Sequence, residues 1–316
     1  MASNLLGRYV WLVDTLLKYK KLTYNEINEL WENSNLYYGE NLPLRTFHNH
    51  QKAIKDIFDI YIECDKKDGY KYYIDEPEQL QKDHLRNWII STYTTLNCIK
   101  ANCKIRDRII FERIPSGETW LTPIMNAMCQ NRVIQIKHQA FEKDEPCCFE
   151  IEPYYLKIVK RRWYVIARNP LYSEQNKANG IMPNDVYLTY ALDRILNIKE
   201  TDKFYTIKED FDINSYFDGC CGITTSDKPI ERIIIRAYNN SANYLRTLPL
   251  HESQKELCNE QNSTLFEYHL KPTFEFYQMI FYFGINVEII SPKSIRIEML
   301  KYIKTLMKYY KNEEND

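Results

Sequence analysis

The chain has 316 residues, of which 44% are hydrophobic and 27% charged, a composition typical of a soluble globular protein with a substantial core. Its formal net charge is −1 at pH 7, so bulk charge does not attract a polyanion and any anion site must be a local patch. No apolar run reaches the roughly 20 residues of a membrane span, and none of the nine cysteines has C-x-x-C zinc spacing, which argues against both a membrane protein and a zinc site.

The N-terminal segment, residues 1–75, has the pattern of three helices and a hairpin. Apolar residues recur at helical spacing over Leu5–Leu17, and a T-x-x-E capping box at Thr23 starts a second helix. A third helix is expected over Pro43–Phe58. Strand-like runs on either side of the turn pair Asp68-Gly69 indicate a β-hairpin. Together these elements predict a winged helix-turn-helix.

The third helix separates its side chains into two faces. The apolar face is formed by Phe47, Ile54, Ile57 and Phe58, and His50 points toward it. The opposite face carries hydrogen-bond donors suited to base edges in a DNA major groove, and the hairpin tip carries lysines suited to phosphate. The residues predicted to contact DNA are Arg45, His48, Asn49, Lys52, Lys66 and Lys67. A solvated polar face without a DNA partner is the alternative.

Residues 76–130 form a predicted helical connector. A helix is expected from about Gln79 to Lys100, and a second one follows the Pro115-Ser116-Gly117 turn. Such a connector can separate a DNA-reading head from a sensing body, or it can belong to ordinary core packing.

Residues 131–200 contain four runs rich in Val, Ile, Tyr and Trp that predict strands. The runs are RVIQIKHQAF, FEIEPYYLKIV, RWYVIARNP and VYLTYALDRILNI. Only short polar links or turn residues separate them, so we predict a small antiparallel sheet or barrel rather than βαβ units.

A basic turn joins two of these strands. Lys160-Arg161-Arg162 lies between a strand that ends at Val159 and one that starts at Trp163. Cations beside aromatic residues can bind phosphates and stack on bases. An ordinary solvated hairpin has the same sequence pattern, and the residues alone leave both interpretations open.

Residues 201–316 alternate strands and helices in a way that predicts a ferredoxin-like α+β module. The terminal stretch IRIEMLKYIKTLMKYYKN is amphipathic and is expected to form a packed helix. The preceding elements, in order, are a strand ERIIIRAY, a helix near Asn243–Leu248, a strand near Ser253–Asn259, a strand LFEYHLK, a helix Phe274–Phe283 and a strand NVEIIS.

The stretch EPYYLKIVKRRWYVIARNP, followed by YALDRILNI, resembles the WYL domain of bacterial regulators, with Trp163-Tyr164-Val165 in place of Trp-Tyr-Leu. Pro153 matches the proline before the family's first hairpin strand, and Leu192–Ile195 matches its closing L-D-R-I element. The head resembles the family's winged helix, with RTF at Arg45–Phe47 but NHQKAI where the family continues R-D-I. YLRTLPLHESQKE and VEIISPKSIR resemble the family's C-terminal extension, so the resemblance covers nearly the whole chain.

The resemblance implies a small Sm-like β-barrel whose basic, aromatic face binds an oligonucleotide or another nucleotide-like effector. Trp163 and Val165 could instead belong to the core, and Arg194 could pair with a carboxylate. The family would use its C-terminal module for dimer contacts and ligand closure. The residues that the resemblance places near the effector are His138, Tyr154, Arg161, Arg162, Trp163, Arg168 and Arg194.

The expected fold class is a multidomain α+β chain. Its predicted parts are a winged helix-turn-helix (1–75), a helical connector (76–130), a WYL β-barrel that senses a ligand (131–200) and a C-terminal α+β extension (201–316). The leading functional prediction is a cytoplasmic, homodimeric, ligand-responsive DNA-binding transcriptional regulator without a cofactor, a metal or enzymatic activity. The altered recognition helix leaves open an oligonucleotide-binding accessory protein without specific duplex binding. An enzyme that uses Cys147 or Cys148 with His138 has no ordered motif to support it.

Overall fold

The computed structural model describes residues 5–34, 36–37, 39–78, 84–101, 108, 110, 117–141 and 143–311. By its internal contacts the chain divides into two compact units, residues 1–112 and 113–316. Both units contain buried hydrophobic clusters and a mixture of helices and strands. The predicted multidomain chain of mixed helices and sheets is therefore confirmed.

In the first unit, helices bury one apolar stripe each around a common core that includes Val13, Ile27 and Phe47. The predicted capping box is present: the Thr23 hydroxyl accepts from the backbone N–H of Glu26, and the Glu26 carboxylate accepts from the Thr23 backbone N–H at 2.7 Å. The Gln79 start of the predicted connector helix lies outside the described residues. The helices are α1 (Leu5–Tyr19), α2 (Tyr24–Glu32), α3 (Leu44–Phe58) and α4 (His84–Ala101).

A three-stranded antiparallel sheet completes this unit. Its strands are β1 (Lys21–Leu22), β2 (Ile62–Asp65) and β3 (Lys71–Ile74), in the order β1-β3-β2. The hairpin of β2 and β3 is the predicted one. The pairing of β1 was not predicted, because two residues are too short to show the alternation of a strand.

In the second unit, helix α5 (Leu121–Cys129) precedes a five-stranded antiparallel sheet. The long strand β5 pairs through its first half with β4 and through its second half with β6. A register shift between Pro153 and Tyr155 lets β5 bend between these two halves. The strands are β4 (Arg132–His138), β5 (Cys147–Val159), β6 (Arg162–Arg168), β7 (Tyr187–Ala191) and β8 (Ile195–Phe204), in the order β7-β6-β5-β4-β8.

The predicted single strand VYLTYALDRILNI is in fact two strands at opposite edges of this sheet. Only the three residues of the 3₁₀ turn Leu192–Arg194 join β7 to β8. In a flat sheet the outer strands would lie roughly 19 Å apart, whereas the chain from Ala191 to Ile195 can span at most about 14 Å. The sheet must therefore be strongly curled. Among the described residues, β7 and β8 do not pair with each other. The expected Sm-like barrel is therefore not closed.

Helix α6 (Pro170–Ala178) lies between β6 and β7, and helix α7 (Ile213–Phe217) follows β8. The remaining helices and strands form the C-terminal half of the second unit. A four-stranded antiparallel sheet in the order β10-β11-β9-β12 packs against helices in the predicted β-α-β-β-α-β succession. Among the described helices, none combines the length and the apolar character that crossing a bilayer requires. The elements are β9 (Glu231–Tyr238), α8 (Ser241–Thr247), β10 (Lys255–Asn259), β11 (Ser263–Leu270), α9 (Phe274–Tyr282), β12 (Val287–Ser291) and α10 (Lys293–Lys311).

Candidate functional site

Helix α3 presents the predicted hydrogen-bond donors to solvent. Its inner side is buried at Phe47, His50, Ile54 and Phe58. Because these positions follow the helical repeat, the opposite side of the helix is left exposed. The residues exposed there are Arg45, His48, Asn49 and Lys52. Their contact with DNA remains a prediction.

His50 belongs to the core of the first unit, as its position on the apolar side of α3 suggested. Its ring is 3% exposed and packs edge-on against Tyr9, with 5.1 Å between the ring centroids. Burial, together with the positive charge of Arg8, lowers the pKa of His50 to about 4. His50 is therefore a neutral structural residue at pH 7.

The tip of the β2–β3 hairpin is organised by Asp65. Its carboxylate accepts hydrogen bonds from the backbone N–H groups of Lys67 and Asp68, at 3.1 and 3.2 Å, and pairs with Lys21 at 2.9 Å. The side chains of Lys66 and Lys67 are exposed at this tip. The hairpin therefore holds two cations in solvent on an ordered turn.

The basic turn of the second unit has an unusual backbone. β5 ends at Val159 and β6 begins at Arg162, so the turn is Lys160–Arg161 and Arg162 is the first residue of a strand. Lys160 and Arg161 both have positive φ, at 49° and 63°, as the central residues of a type I′ hairpin do. Asn-Gly is favoured at such positions, because a left-handed conformation costs roughly 1–2 kcal/mol for each residue with a Cβ atom. Both side chains are exposed.

A second group of charges lies where the 192–194 turn meets β6. The Arg162 guanidinium pairs with the Asp193 carboxylate, with 2.5 Å between Nη2 and Oδ2. The Arg194 guanidinium instead lies over the ring of Phe141, at 4.4 Å from its centroid. Burial raises the pKa of the Tyr164 hydroxyl, and the positive charges of Arg162 and Arg194 oppose that rise. Both guanidinium groups are therefore close to the same tyrosine.

His138 ends β4 beside this group. Its ring is 7% exposed and lies edge-on to Tyr190 at 5.6 Å, and its Nε2 atom has no hydrogen-bond partner among the described residues. Burial, together with the nearby positive charge of Arg194, lowers the pKa of His138 to about 4, although the charge of Asp193 opposes this shift. The ring is therefore neutral at pH 7 and is a weak base.

The remaining predicted effector residues lie elsewhere in the second unit. Tyr154 is 3% exposed and stacks on Tyr205 in an aromatic cluster, at 5.5 Å. Arg168 pairs with Glu152 at 3.0 Å and with Asp185 at 2.6 Å, in a largely buried network. Trp163 packs against the core of the five-stranded sheet. The structure thus brings together His138, Arg162 and Arg194 and leaves Tyr154 and Arg168 in separate structural clusters.

Two models of known protein families match parts of the second unit. The WYL domain model matches residues 119–200, which include α5, strands β4 to β7 and the first six residues of β8. The WCX domain model matches residues 229–307, which include the four-stranded sheet. The chain therefore contains a WYL domain followed by a WCX domain. No match was found among the curated proteins.

Two solved structures resemble this WYL-domain chain at low identity. Proteasome accessory factor B/C (PafBC) of Arthrobacter aurescens is 16% identical with a TM-score of 0.37, over 96% of this chain and 46% of that one. A CRISPR Cas-related protein is 12% identical with a TM-score of 0.36, over 60% of this chain and 50% of that one. The chain thus spans about half the length of the solved structures that it matches.

Two members of the charged group in the WYL domain were not among the predicted site residues. Asp193 lies inside the quoted L-D-R-I element, and its pairing partner is Arg162 rather than Arg194. Phe141 lies between β4 and β5, where a single aromatic residue gives no recognisable sequence signal. The pairing of Asp193 with Arg162 and the contact of Phe141 with Arg194 both depend on the turn that carries the chain from one sheet edge to the other.

Proposed function

We propose that this WYL-domain chain is a ligand-responsive transcriptional regulator. Helix α3 and the β2–β3 hairpin of a winged helix-turn-helix would bind duplex DNA. The Sm-like sheet of the WYL domain would bind an oligonucleotide or nucleotide-like anion. The observation that carries the proposal is the placement of cations on exposed, ordered elements in both units of a nearly neutral chain.

The DNA-binding half of the proposal rests on α3. A major groove accommodates an α-helix, and Arg and Asn side chains match the donor and acceptor patterns of guanine and adenine. Arg45 and Asn49 are one helical turn apart on the exposed face, so both can face the same groove. Lys66 and Lys67 would contact phosphate from the hairpin.

The effector half rests on the strained turn. Lys160 and Arg161 occupy positions where Asn-Gly would relieve strain, so the charges are retained against a conformational preference. Strain of this kind concentrates at ligand sites. Arg162, Arg194 and His138 would extend the anion site along the sheet, while Trp163 supports it from the core. Tyr154 and Arg168 are left out of the proposed site.

The homodimer is proposed to form through α10. In this 19-residue helix Ile295 is buried. Other apolar side chains of the helix face solvent at three- and four-residue spacing. Such spacing favours packing against an identical helix. A groove of about 780 Å³ beside α10 adds further apolar surface for the second copy. The exposed residues of this face are Leu300, Ile303, Met307 and Tyr310.

Binding rather than catalysis is the proposed role of the sheet. The Cys147 Sγ atom lies 3.5 Å from the Lys143 ammonium, and the His138 ring is surrounded by aromatic rings. A histidine whose pKa is about 4 is a poor general base at neutral pH.

The first test is to purify the full chain and to identify co-purifying nucleotide material by absorbance ratio and mass spectrometry. The Arg161→Ala/Arg162→Ala variant should lose this material, and the control Lys199→Ala/Lys255→Ala, which removes two exposed cations elsewhere, should retain it. Full retention by the first variant would reject the assigned site.

The second test separates a regulator from an oligonucleotide-binding accessory protein. Binding to duplex DNA from the protein's own upstream region is measured against salt concentration. A regulator shows specific duplex binding whose log affinity falls with log salt. Binding to single strands alone, without specific duplex binding, would support the accessory role and contradict the regulator.

A further inference from the structure

Phe141 is a large aromatic side chain placed in solvent. It is 81% exposed, on the segment between β4 and β5. A single exposed apolar residue is common and needs no explanation by itself. Here, however, the ring also lies over the Arg194 guanidinium at 4.4 Å, beside the proposed anion site. The aromatic ring and the cation therefore form one composite surface.

The segment that carries Phe141 is fixed to the turn that carries Arg194. The backbone N–H of Gln139 donates to the Arg194 carbonyl at 3.0 Å, and its side-chain amide donates to the carbonyls of Ala140 at 3.1 Å and Lys143 at 2.5 Å. A register shift at Lys137/His138 turns the strand just before this point. The backbone that carries the ring is thus held in place before a ligand arrives, which reduces the entropy lost on binding.

The composite surface suits one class of ligand group. A planar aromatic ring backed by a guanidinium offers both π-stacking and cation–π attraction to a nucleobase. The Nε atom of Arg194 is buried and has no hydrogen-bond partner among the described residues. Arg161, whose side chain is exposed on the turn directly before Arg162, supplies positive charge for an adjoining phosphate.

We propose that Phe141 and Arg194 form a stacking platform for an unpaired base of the effector.

This inference rests on the proposed binding of a nucleotide-like anion by the WYL domain. It specifies that the effector presents a base free to leave its own stack, as a single strand does. A base within a duplex is already stacked on both faces, and a polyphosphate has no base to offer.

The test compares two fluorescent single-stranded DNA probes of about 12 nucleotides, a length within the usual range for such sites. One probe has bases, and the other has abasic residues on the same phosphate backbone. Phe141→Ala should weaken binding of the first probe about 5- to 150-fold, the range expected for one base stack. The affinity for the abasic probe should not change, and Phe141→Trp should restore affinity for the first.

The chain offers a matched control in Phe204. This residue is 65% exposed and lies under the Arg132 guanidinium at 5.2 Å, at the other end of β4. Phe204→Ala should bind both probes as the unchanged protein does. The platform is overturned if Phe141→Ala binds the first probe normally, loses affinity for both probes equally, or behaves like Phe204→Ala.

The Arg161→Ala/Arg162→Ala variant separates this inference from the proposed function. If that variant binds neither probe while Phe141→Ala binds both normally, only the platform fails. If the unchanged protein binds neither probe, or the double variant binds both normally, the proposed effector site fails and the platform fails with it. Thermal melts of every variant establish that each one is folded.

Discussion

The Nη2 atom of Arg162 donates a 2.5 Å hydrogen bond to Oδ2 of Asp193, which joins the first residue of β6 to the turn between β7 and β8. The Oδ1 atom of the same carboxylate has no hydrogen-bond partner among the described residues. The ion pair therefore links β6 to the turn between β7 and β8. It also places one negative charge beside the guanidinium groups of Arg162 and Arg194.

Asp193→Asn should lower stability and raise affinity for a polyanion. Weakening a charged hydrogen bond at a partly exposed pair should reduce the free energy of unfolding by about 1–2 kcal/mol. Removal of the negative charge beside two guanidinium groups should tighten binding of a single-stranded probe. Denaturant titration and fluorescence anisotropy measure the two effects. An exposed control, Asp202→Asn, should change neither, and weaker binding by Asp193→Asn would contradict the expectation.

Arg168→Leu should destabilise the protein without changing the intrinsic affinity of the folded state for the effector. The substitution leaves the Glu152 carboxylate without its arginine, whereas Asp185 keeps its ion pair with Lys208. The free energy of unfolding should therefore fall by about 3 kcal/mol. Arg246→Leu removes a more exposed ion pair with Glu256 and should reduce it by about 1 kcal/mol or less. A specific loss of effector binding in folded Arg168→Leu would return this residue to the site.

The stability of the first unit should fall as pH drops through the titration of His50. Its folded-state pKa of about 4 lies below the unfolded value near 6.5, so the unfolded chain binds more protons between these values. Between pH 7 and 4.5 the residue should therefore account for a loss of about 2 kcal/mol. His50→Phe should show a smaller drop in urea denaturation over this range, whereas exposed His48→Gln should match the unchanged protein. Equal drops in all three proteins would exclude His50 as the cause.

Lys66→Ala/Lys67→Ala should weaken duplex binding evenly across DNA sequences. If both lysines bind phosphate, the slope of log affinity against log salt should become shallower by about 1 for each phosphate that is no longer neutralised. Lys18→Ala, which removes an exposed cation from α1, serves as the control and should preserve the slope. An unchanged slope in the double variant would show that the hairpin tip does not touch the phosphate backbone.

Leu300→Glu/Ile303→Glu should dissociate the proposed dimer, because it places charges in the apolar face of α10. Light scattering after size exclusion should then give a mass near that of one 38.1 kDa chain, where the unchanged protein gives that of two. Lys301→Glu changes an exposed charge on the same helix and should remain dimeric. A dimeric double variant would place the interface elsewhere.

Much of the fold could be predicted because its signals are local. The buried stripe of α3, the capping box at Thr23 and the order of elements from β9 to α10 all follow from periodicity and capping chemistry. Helix α6 was missed although its signal was present, since Asn169 caps it and Pro170 occupies its first position.

The remainder could not be predicted because it depends on strand pairing across the sheet. Leu192–Arg194 contains no glycine or proline and is flanked on both sides by residues typical of strands. The sequence pattern alone therefore does not reveal that the chain there leaves the partner strand β6 and joins β4. The same turn brings Arg194 to Phe141, and Asp193 to Arg162. The charged residues could therefore be identified from the sequence. It could not be predicted which of them belong to the proposed effector site and which form structural ion pairs.

The short link from β7 to β8 has a consequence for how this domain behaves at high concentration. Outer strands of an open sheet present unpaired N–H and C=O groups on which a foreign strand can add, and such addition propagates into aggregates. Because the curl of the sheet brings the edge strands β7 and β8 close together at Leu192–Arg194, little space remains there for an added strand. The turn that carries Arg194 of the proposed effector site thus also protects this end of the sheet against polymerisation.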